Sequence, residues 1–390
     1  MIEKIHIQNF KSIYDLELEV GRVSLFIGEN GSGKSNLLEA LVFVSASESN
    51  KLDNEFLVSR GLRVPEPELM RSAFEEEYRD KNIEISIDFN NNRKKYNFLN
   101  NNDKYSEWTR MNLSLDDAKL SLKESTFELK KLLQSQTSLL LKIQKDYREF
   151  TKEEEKALLL EIDELKKKRI QIHNFIIYSP ENTALRIFEK EKQIQPLGIN
   201  GEGLLKLLKV INNYEDKSYI NTIIESLQLF NWFEDLTIPS DISSLEDKVI
   251  IKDKYLYREF TQRSANEGFL FILFYITLIV AKETPKAFAI DNIDASLNPK
   301  LCTKLMTILT DLAKKYDKQI FLTTHNPAIL DGIDLNDEEQ KLFVVSRNKK
   351  GHTRMKEITA KDKPKSSDDE PLHLSEAFLR GYLGGLPKGF

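Results

Sequence analysis

The residues with the most chemistry in this chain form one octet, Gly28-Glu29-Asn30-Gly31-Ser32-Gly33-Lys34-Ser35. A glycine, four residues, then Gly-Lys-Ser is the spacing of a phosphate-binding loop. The glycines permit backbone angles that turn successive N–H groups inward as an anion nest. A helix opening at this point adds its N-terminal dipole. Lys34 would reach terminal phosphates as a point charge, and the Ser35 hydroxyl is of the type that binds Mg²⁺. The bland alternative is a Gly-rich turn that merely precedes a helix. The flanks argue against it. Val23 to Ile27 reads as a buried strand, and Leu37, Leu38, Ala40, Leu41 and Phe43 as an amphipathic helix.

Two later segments repeat the theme of a buried strand ending in a polar residue. Ala287-Phe288-Ala289-Ile290 delivers Asp291, which beside a phosphate loop would hold the Mg²⁺ shell. Alone, Asp291 would equally suit a solvated turn or a cap. Phe321-Leu322-Thr323-Thr324 delivers His325, where ligands gather in open α/β sheets. A neutral imidazole there could contact a terminal phosphate or an attacking water, although Pro327 calls for a turn in any case. The five histidines lack metal-ligand spacing, which argues against zinc.

The elements that must position these residues are legible in outline. Ile5 and Ile7, then Leu16, Leu18 and Val20, alternate with polar residues as strands do. Residues 82–89 alternate again, and 94–98 pair with them across an asparagine turn. Phe175 to Tyr178, Val249 to Ile251 and Leu342 to Val345 read as further strands, and 203–232 as mostly helical. Phe269 to Ala281 is the longest apolar run. It falls short of the ~20 residues of a membrane span and reads as a buried core helix. Residues 113–172 follow three-four spacing on both sides of Thr151-Lys152-Glu153-Glu154, a capping box. They predict an antiparallel helical hairpin, its shorter arm reaching roughly 33 Å. Residues 361–371 are polar with two prolines, and Leu374 to Leu383 suits a short amphipathic helix.

Composition bounds the function. The chain has 390 residues, of which 40% are hydrophobic and 31% charged, enough for a substantial core. With 57 basic and 62 acidic residues the formal net charge is −5, which excludes a globally basic nucleic-acid coat but not local patches. The single cysteine, Cys302, makes no internal disulfide and fits a reducing, cytoplasmic setting. The first residues have no apolar signal core.

Taken together, these motifs resemble a known family. Ile7-Gln8-Asn9-Phe10-Lys11-Ser12-Ile13 followed by the octet and Asn36 is similar to the N-terminus of the RecF/SMC-like branch of ABC-type ATPases. Asp291 to Pro299 resembles their Walker B strand end and D-loop, and Thr323 to Pro327 their switch-histidine segment. Stand-alone bacterial ATPases related to the OLD proteins, many of them in anti-phage or abortive-infection operons, match best. The resemblance implies an α/β fold. It would be an ABC-type head, a mixed sheet flanked by helices, with the helical hairpin inserted. Residues 1–112 and 173–360 would form the head, 113–172 the insertion, and 361–390 a linker and C-terminal helix. It implies ATP and Mg²⁺, bound through Asn30, Gly31, Ser32, Gly33, Lys34, Ser35 and Asn36, with Ser35 and Asp291 at the metal. It implies a head-to-head homodimer or higher oligomer whose signature segment faces the partner's nucleotide. Ser264-Ala265-Asn266-Glu267-Gly268 stands where that signature belongs. Ser264, Asn266 and Gly268 are its candidates, although the same residues would also cap a helix. Asp294 falls at the D-loop, with a role across the dimer. The Q-loop glutamine has no counterpart, leaving Glu181 or Asn182.

One departure bears on activity. The family's catalytic glutamate after the Walker B aspartate is here Asn292. An amide orients water but accepts no proton, and losing a general base costs a factor of about 10²–10⁴. Slow hydrolysis is therefore expected, with ATP acting as a clamp and Asp294 or His325 substituting in part. The leading functional expectation is a sensor or scaffold that controls a separate effector, a nuclease or toxin, in anti-phage defence. The alternative is a DNA-clamping repair or chromosome-maintenance ATPase. Lys166-Lys167-Lys168-Arg169 is a local basic cluster that would serve it, although such runs are more often a solvated helix face. A transporter subunit fits less well, and no membrane partner is expected.

Overall fold

The computed structural model describes residues 1–90, 92–103, 106–111, 172, 174–187, 196–240, 248–364 and 372–386. Backbone proximity divides the chain into Met1–Thr109 with Gln171–Phe390 as one unit, and Arg110–Ile170 as the other. The expected helical hairpin, with its basic cluster, lies outside the described residues apart from Ile172.

The centre of the first unit is a six-stranded sheet. The strands are β3 (Val23–Gly28), β7 (Ile177–Tyr178), β11 (Ala287–Ile290), β12 (Gln319–Thr324), β13 (Gln340–Arg347) and β14 (Thr353–Ile358), in the order β14-β13-β3-β12-β11-β7. Every pairing is parallel except that of β13 with β14. The three central strands β3, β12 and β11 are buried throughout, which explains their nearly unbroken apolar sequences. A second sheet holds β1 (Ile2–Phe10), β2 (Ile13–Glu19), β4 (Ile83–Phe89), β5 (Asn92–Leu99) and β6 (Thr109–Arg110), in the order β2-β1-β4-β5-β6. Phe89 pairs with Asn92, so β4 and β5 are antiparallel neighbours as their alternation suggested. A small antiparallel sheet joins β8 (Phe233–Thr237), β9 (Ile250–Asp253) and β10 (Phe260–Thr261).

Helix α1 (Lys34–Glu48) lies between the two larger sheets, touching β1 on one side and β3, β7 and β12 on the other. Only Ser35 and Asn36 escape burial along it, so the expected amphipathic helix is instead enclosed on all sides. Sheets on two sides leave no solvent face, and Phe43 packs on Phe10, Phe98 and Trp108. Two short helices follow, α2 (Asn54–Ser59) and α3 (Pro67–Met70), then α4 (Asn182–Arg186), α5 (Leu204–Asn212) and α6 (Ser218–Leu227). The apolar run forms α7 (Glu267–Val280), capped by the Asn266 side chain, which accepts from the Phe269 amide at 2.8 Å. It is buried from Gly268 to Val280, packs against α4, α5, α6 and α8 (Pro299–Lys315), and so behaves as a core helix. Among the described residues no helix is long and apolar enough to cross a membrane. The C-terminal helix α9 (Leu374–Leu379) packs on the turn at Pro327–Gly332, just beyond His325. There the Asp331 carboxylate accepts from the Ser375 amide at 3.0 Å and from its hydroxyl at 2.5 Å.

Candidate nucleotide site

Strands β3, β11, β12 and β13 run parallel, so their carboxyl ends open at one edge of the sheet. A polar cleft of about 370 Å³ lies there. It is lined by Asn30, Gly31, Gly33, Lys34, Ser35 and Asn36 of the loop, Asp291 and Asn292 after β11, His325 after β12, and by Arg63 and Arg347.

The loop takes the conformation its glycines allow. Gly33 has φ +104°, and a β-carbon there would lie 2.1 Å from the Thr353 hydroxyl and 2.7 Å from that of Ser12. Only glycine satisfies both the angle and the space. Among the described residues, the amides of Gly31, Gly33, Lys34 and Ser35 have no acceptor within the chain. These residues line the cleft where a helix begins, the place in a fold that suits an anion nest. The Lys34 ammonium donates to the carbonyls of Gly28 at 2.7 Å and Glu29 at 3.0 Å, and lies 3.5 Å from Nδ1 of His325. Burial pushes its pKa down to about 8, against the opposing charges of Asp291, Asp294 and Glu29.

Opposite the loop, the Ser35 hydroxyl donates to Asp291, with its carboxylate oxygens at 3.2 and 3.4 Å. These are hard oxygen ligands of the type Mg²⁺ takes. Thr323 donates to Asp291 through its hydroxyl and accepts from the Asn292 amide at 2.9 Å. Thr324 donates to Asp294 at 2.6 Å, and the His325 amide approaches the same oxygen at 3.3 Å. Two adjacent threonines at the end of β12 thus orient both acids of the neighbouring loop. His325 is held below its ordinary pKa, first by burial and then by the Lys34 charge. Asn292 adopts φ +55°, a left-handed angle that favours Asn, Asp and Gly over Glu.

Not every expected residue lines this cleft. Ser32 is buried and meets its surroundings through its carbonyl, which accepts from Thr353 at 2.9 Å. Asp294 sits just behind the lining. Ser264, Asn266 and Gly268 lie elsewhere, at the start of α7. A β-carbon on Gly268 would come within 3.1 Å of the Ser296 carbonyl and 3.2 Å of Leu297, so this glycine lets the helix approach the D-loop segment. Glu181 and Asn182 do not reach the lining either, and the Asn182 oxygen accepts from Arg186 at 3.1 and 3.0 Å.

Sequence reasoning missed the two arginines. Arg63 donates through Nε to Glu39 at 2.6 Å, and Lys11 binds the same carboxylate. Glu39 is wholly buried on α1, so one acid ties the end of β1 and the segment that follows α2 to the phosphate-loop helix. A buried glutamate four residues after Ser35 was the available signal, since such a charge requires a partner. Arg347, at the end of β13, donates through Nε to the Gly31 carbonyl at 2.7 Å.

Comparison with known proteins agrees with this geometry. A stretch of the RecF DNA replication and repair protein of Phocaeicola vulgatus is 33% identical over 109 residues, covering 25% of this chain and 28% of that protein. RecF of Listeria welshimeri is 40% identical over 55 residues, 14% of this chain and 15% of the relative. The chromosome partition protein Smc of Methanocaldococcus jannaschii is 43% identical over 51 residues, 13% of this chain and 4% of its own length. The matches thus span under a third of each curated relative. In fold, an Smc head bound to the C-terminal winged-helix domain of ScpA superposes with a TM-score of 0.57 at 15% identity, covering 92% of this chain and 98% of the other. An Smc head from Pyrococcus furiosus with an extended coiled coil gives 0.51 at 15% identity, covering 92% and 96%. These likenesses establish the fold of an ABC-type ATPase head. The family profile described as "AAA domain, putative AbiEii toxin, Type IV TA system" matches residues 23–331, and with most of its length so covered the chain belongs to that family, among the RecF/SMC-like ABC-type ATPases.

Proposed function

We propose that this cleft binds ATP with Mg²⁺ and hydrolyses it slowly, and that the nucleotide state governs association of two heads. The carrying observation is the meeting of Lys34, Ser35 and Asp291 around the unpaired loop amides in one polar cleft. The amides and Lys34 would hold the phosphates, and Ser35 and Asp291 the metal. Bound Mg·ATP would supply the phosphoryl chemistry. Asn292 can orient a water there but cannot take its proton. His325, its pKa lowered by burial and by the Lys34 charge, and Asp294 are the alternative acceptors. The signature candidates Ser264, Asn266 and Gly268 lie away from their own chain's cleft, consistent with a role toward a second protomer's nucleotide.

The matched family's description, a putative toxin of a type IV toxin–antitoxin system, names no separate effector, and it prompts one reading, a sensor or scaffold controlling a separate nuclease or toxin in anti-phage defence. The RecF and Smc relatives favour a second reading, a clamp on DNA in repair or chromosome maintenance. ATP turnover, with solution mass measured with and without Mg·ATP, tests the shared core. Slow turnover with an ATP-stabilised dimer supports it, and no nucleotide binding rejects it. Salt-dependent DNA affinity, set against co-purification of an effector from the native operon, separates the two roles.

A further inference from the structure

Arg347 and Thr353 flank the turn between β13 and β14, and both reach the phosphate loop. The register of β13 on β3 sets Val345 opposite Gly28, which carries Arg347 level with the loop that follows. Its Nε–H donates to the Gly31 carbonyl at 2.7 Å, and the Thr353 hydroxyl donates to the next carbonyl, Ser32, at 2.9 Å. The hairpin therefore holds two successive loop carbonyls from outside, while among the described residues the amides of Gly31 and Gly33 have no acceptor.

The two attachments differ in what they leave over. Thr353 is buried and also bonded to Ser12 at 2.7 Å, so it can only hold the loop. Arg347 is exposed and lines the cleft. A guanidinium has five N–H groups, and one is used. Among the described residues its terminal nitrogens have no other hydrogen-bond or ion-pair partner. Arg63, the other cleft arginine, is tied to Glu39, whereas among the described residues no carboxylate is paired with Arg347. A free planar fork beside the amides of Gly31, Gly33, Lys34 and Ser35, which among the described residues have no acceptor, matches phosphate oxygens.

We infer that Arg347 is a nucleotide-binding residue that pins the crest of the loop through Gly31 and presents its remaining N–H groups to the phosphates of a nucleoside triphosphate. The inference rests on the nucleotide reading of the cleft. The test is the affinity of a fluorescent ATP analogue with Mg²⁺ for the full chain and for Arg347→Ala, Arg347→Gln, Arg347→Lys and Lys34→Ala, with nucleotide-free melting as the check on folding. Arg347→Ala and Arg347→Gln are expected to weaken binding about tenfold or more, with Arg347→Lys recovering part of the loss. Glutamine keeps a donor for the Gly31 carbonyl but no charge. If Arg347→Gln binds as wild type does, Arg347 only braces the loop and the inference is overturned. Wild-type affinity in Arg347→Ala overturns it as well. If Lys34→Ala binds as tightly as wild type, the nucleotide reading of the cleft falls and takes this inference with it.

Discussion

The two ends of the central sheet are made from the same kinds of residue and do opposite things. At the amino end of β12, Gln319 is buried. Its side chain accepts from the Ile2 amide at 2.9 Å and donates to the carbonyls of Ile2 at 2.8 Å and Gly21 at 2.9 Å. Beside it, the buried Lys318 donates to the carbonyl and hydroxyl of Thr284 at 2.9 and 2.8 Å and to the Pro285 carbonyl at 3.2 Å. Arg22 binds Asp317 and Glu339, each at 3.1 Å. At this end the polar side chains find their partners inside the chain. At the carboxyl end the amides of Gly31, Gly33, Lys34 and Ser35 have none among the described residues, and Asp291 and Ser35 meet only loosely. Satisfied polar groups stabilise a fold, whereas unsatisfied ones grouped in a cleft are a capacity for ligand that the fold carries at a cost.

The largest expected effect is at the open end. Lys34→Ala should lower ATP affinity or turnover by about a hundredfold, read by a coupled phosphate assay, while moving the melting temperature by no more than about 3 °C. A large loss of stability with little loss of binding would break the contrast between the ends. Next is Asn292→Asp, which restores a carboxylate and tolerates the left-handed backbone better than glutamate would. Turnover should rise about tenfold or more, and a wild-type rate that is already brisk would refute the slow-clamp reading. At the closed end, Gln319→Leu strands backbone groups of Ile2 and Gly21, at about 1–3 kcal/mol each. Melting should fall by about 5 °C or more, with ATP affinity unchanged. A selective loss of ATP affinity would show that the ends are coupled.

The smallest effect is a pH dependence. Burial, helped by Lys286, pushes Lys318 from its ordinary 10.5 down to about 7. Between those values the unfolded chain binds the extra proton, so this residue's contribution to stability rises with pH through that window and falls as pH drops toward 7. The melting temperature of wild type relative to Lys318→Met should therefore climb from pH 7 to pH 10. A flat difference would mean that the three acceptors around Lys318 hold it charged.

Much of the fold was legible because local patterns and tertiary environment agreed. The β3–loop–α1 unit, β11, β12 and the buried α7 announce themselves by apolar runs and fixed motif spacing. Strand β14 did not, since Thr353-Arg354-Met355-Lys356-Glu357-Ile358 is largely polar and is a strand because β13 pairs with it. The octet, Asp291 and His325 were legible as a site through their positions at strand ends. Arg63, Arg347 and the orienting roles of Thr323 and Thr324 were not, because an isolated arginine or a threonine pair has no periodicity to mark it.

A phosphate loop needs particular residue types in an unbroken run, since its amides, lysine and hydroxyl are neighbours along the chain, and a run of that kind can be read without coordinates. The strand order could not be read this way. It brings Gly28, Asp291, Thr323 and Arg347 from distant stretches to one edge of the sheet. Nor could the enclosure of α1, whose composition looks one-sided but whose surroundings are not. Both depend on which surfaces meet after the chain closes on itself, and sequence-local forces do not specify that.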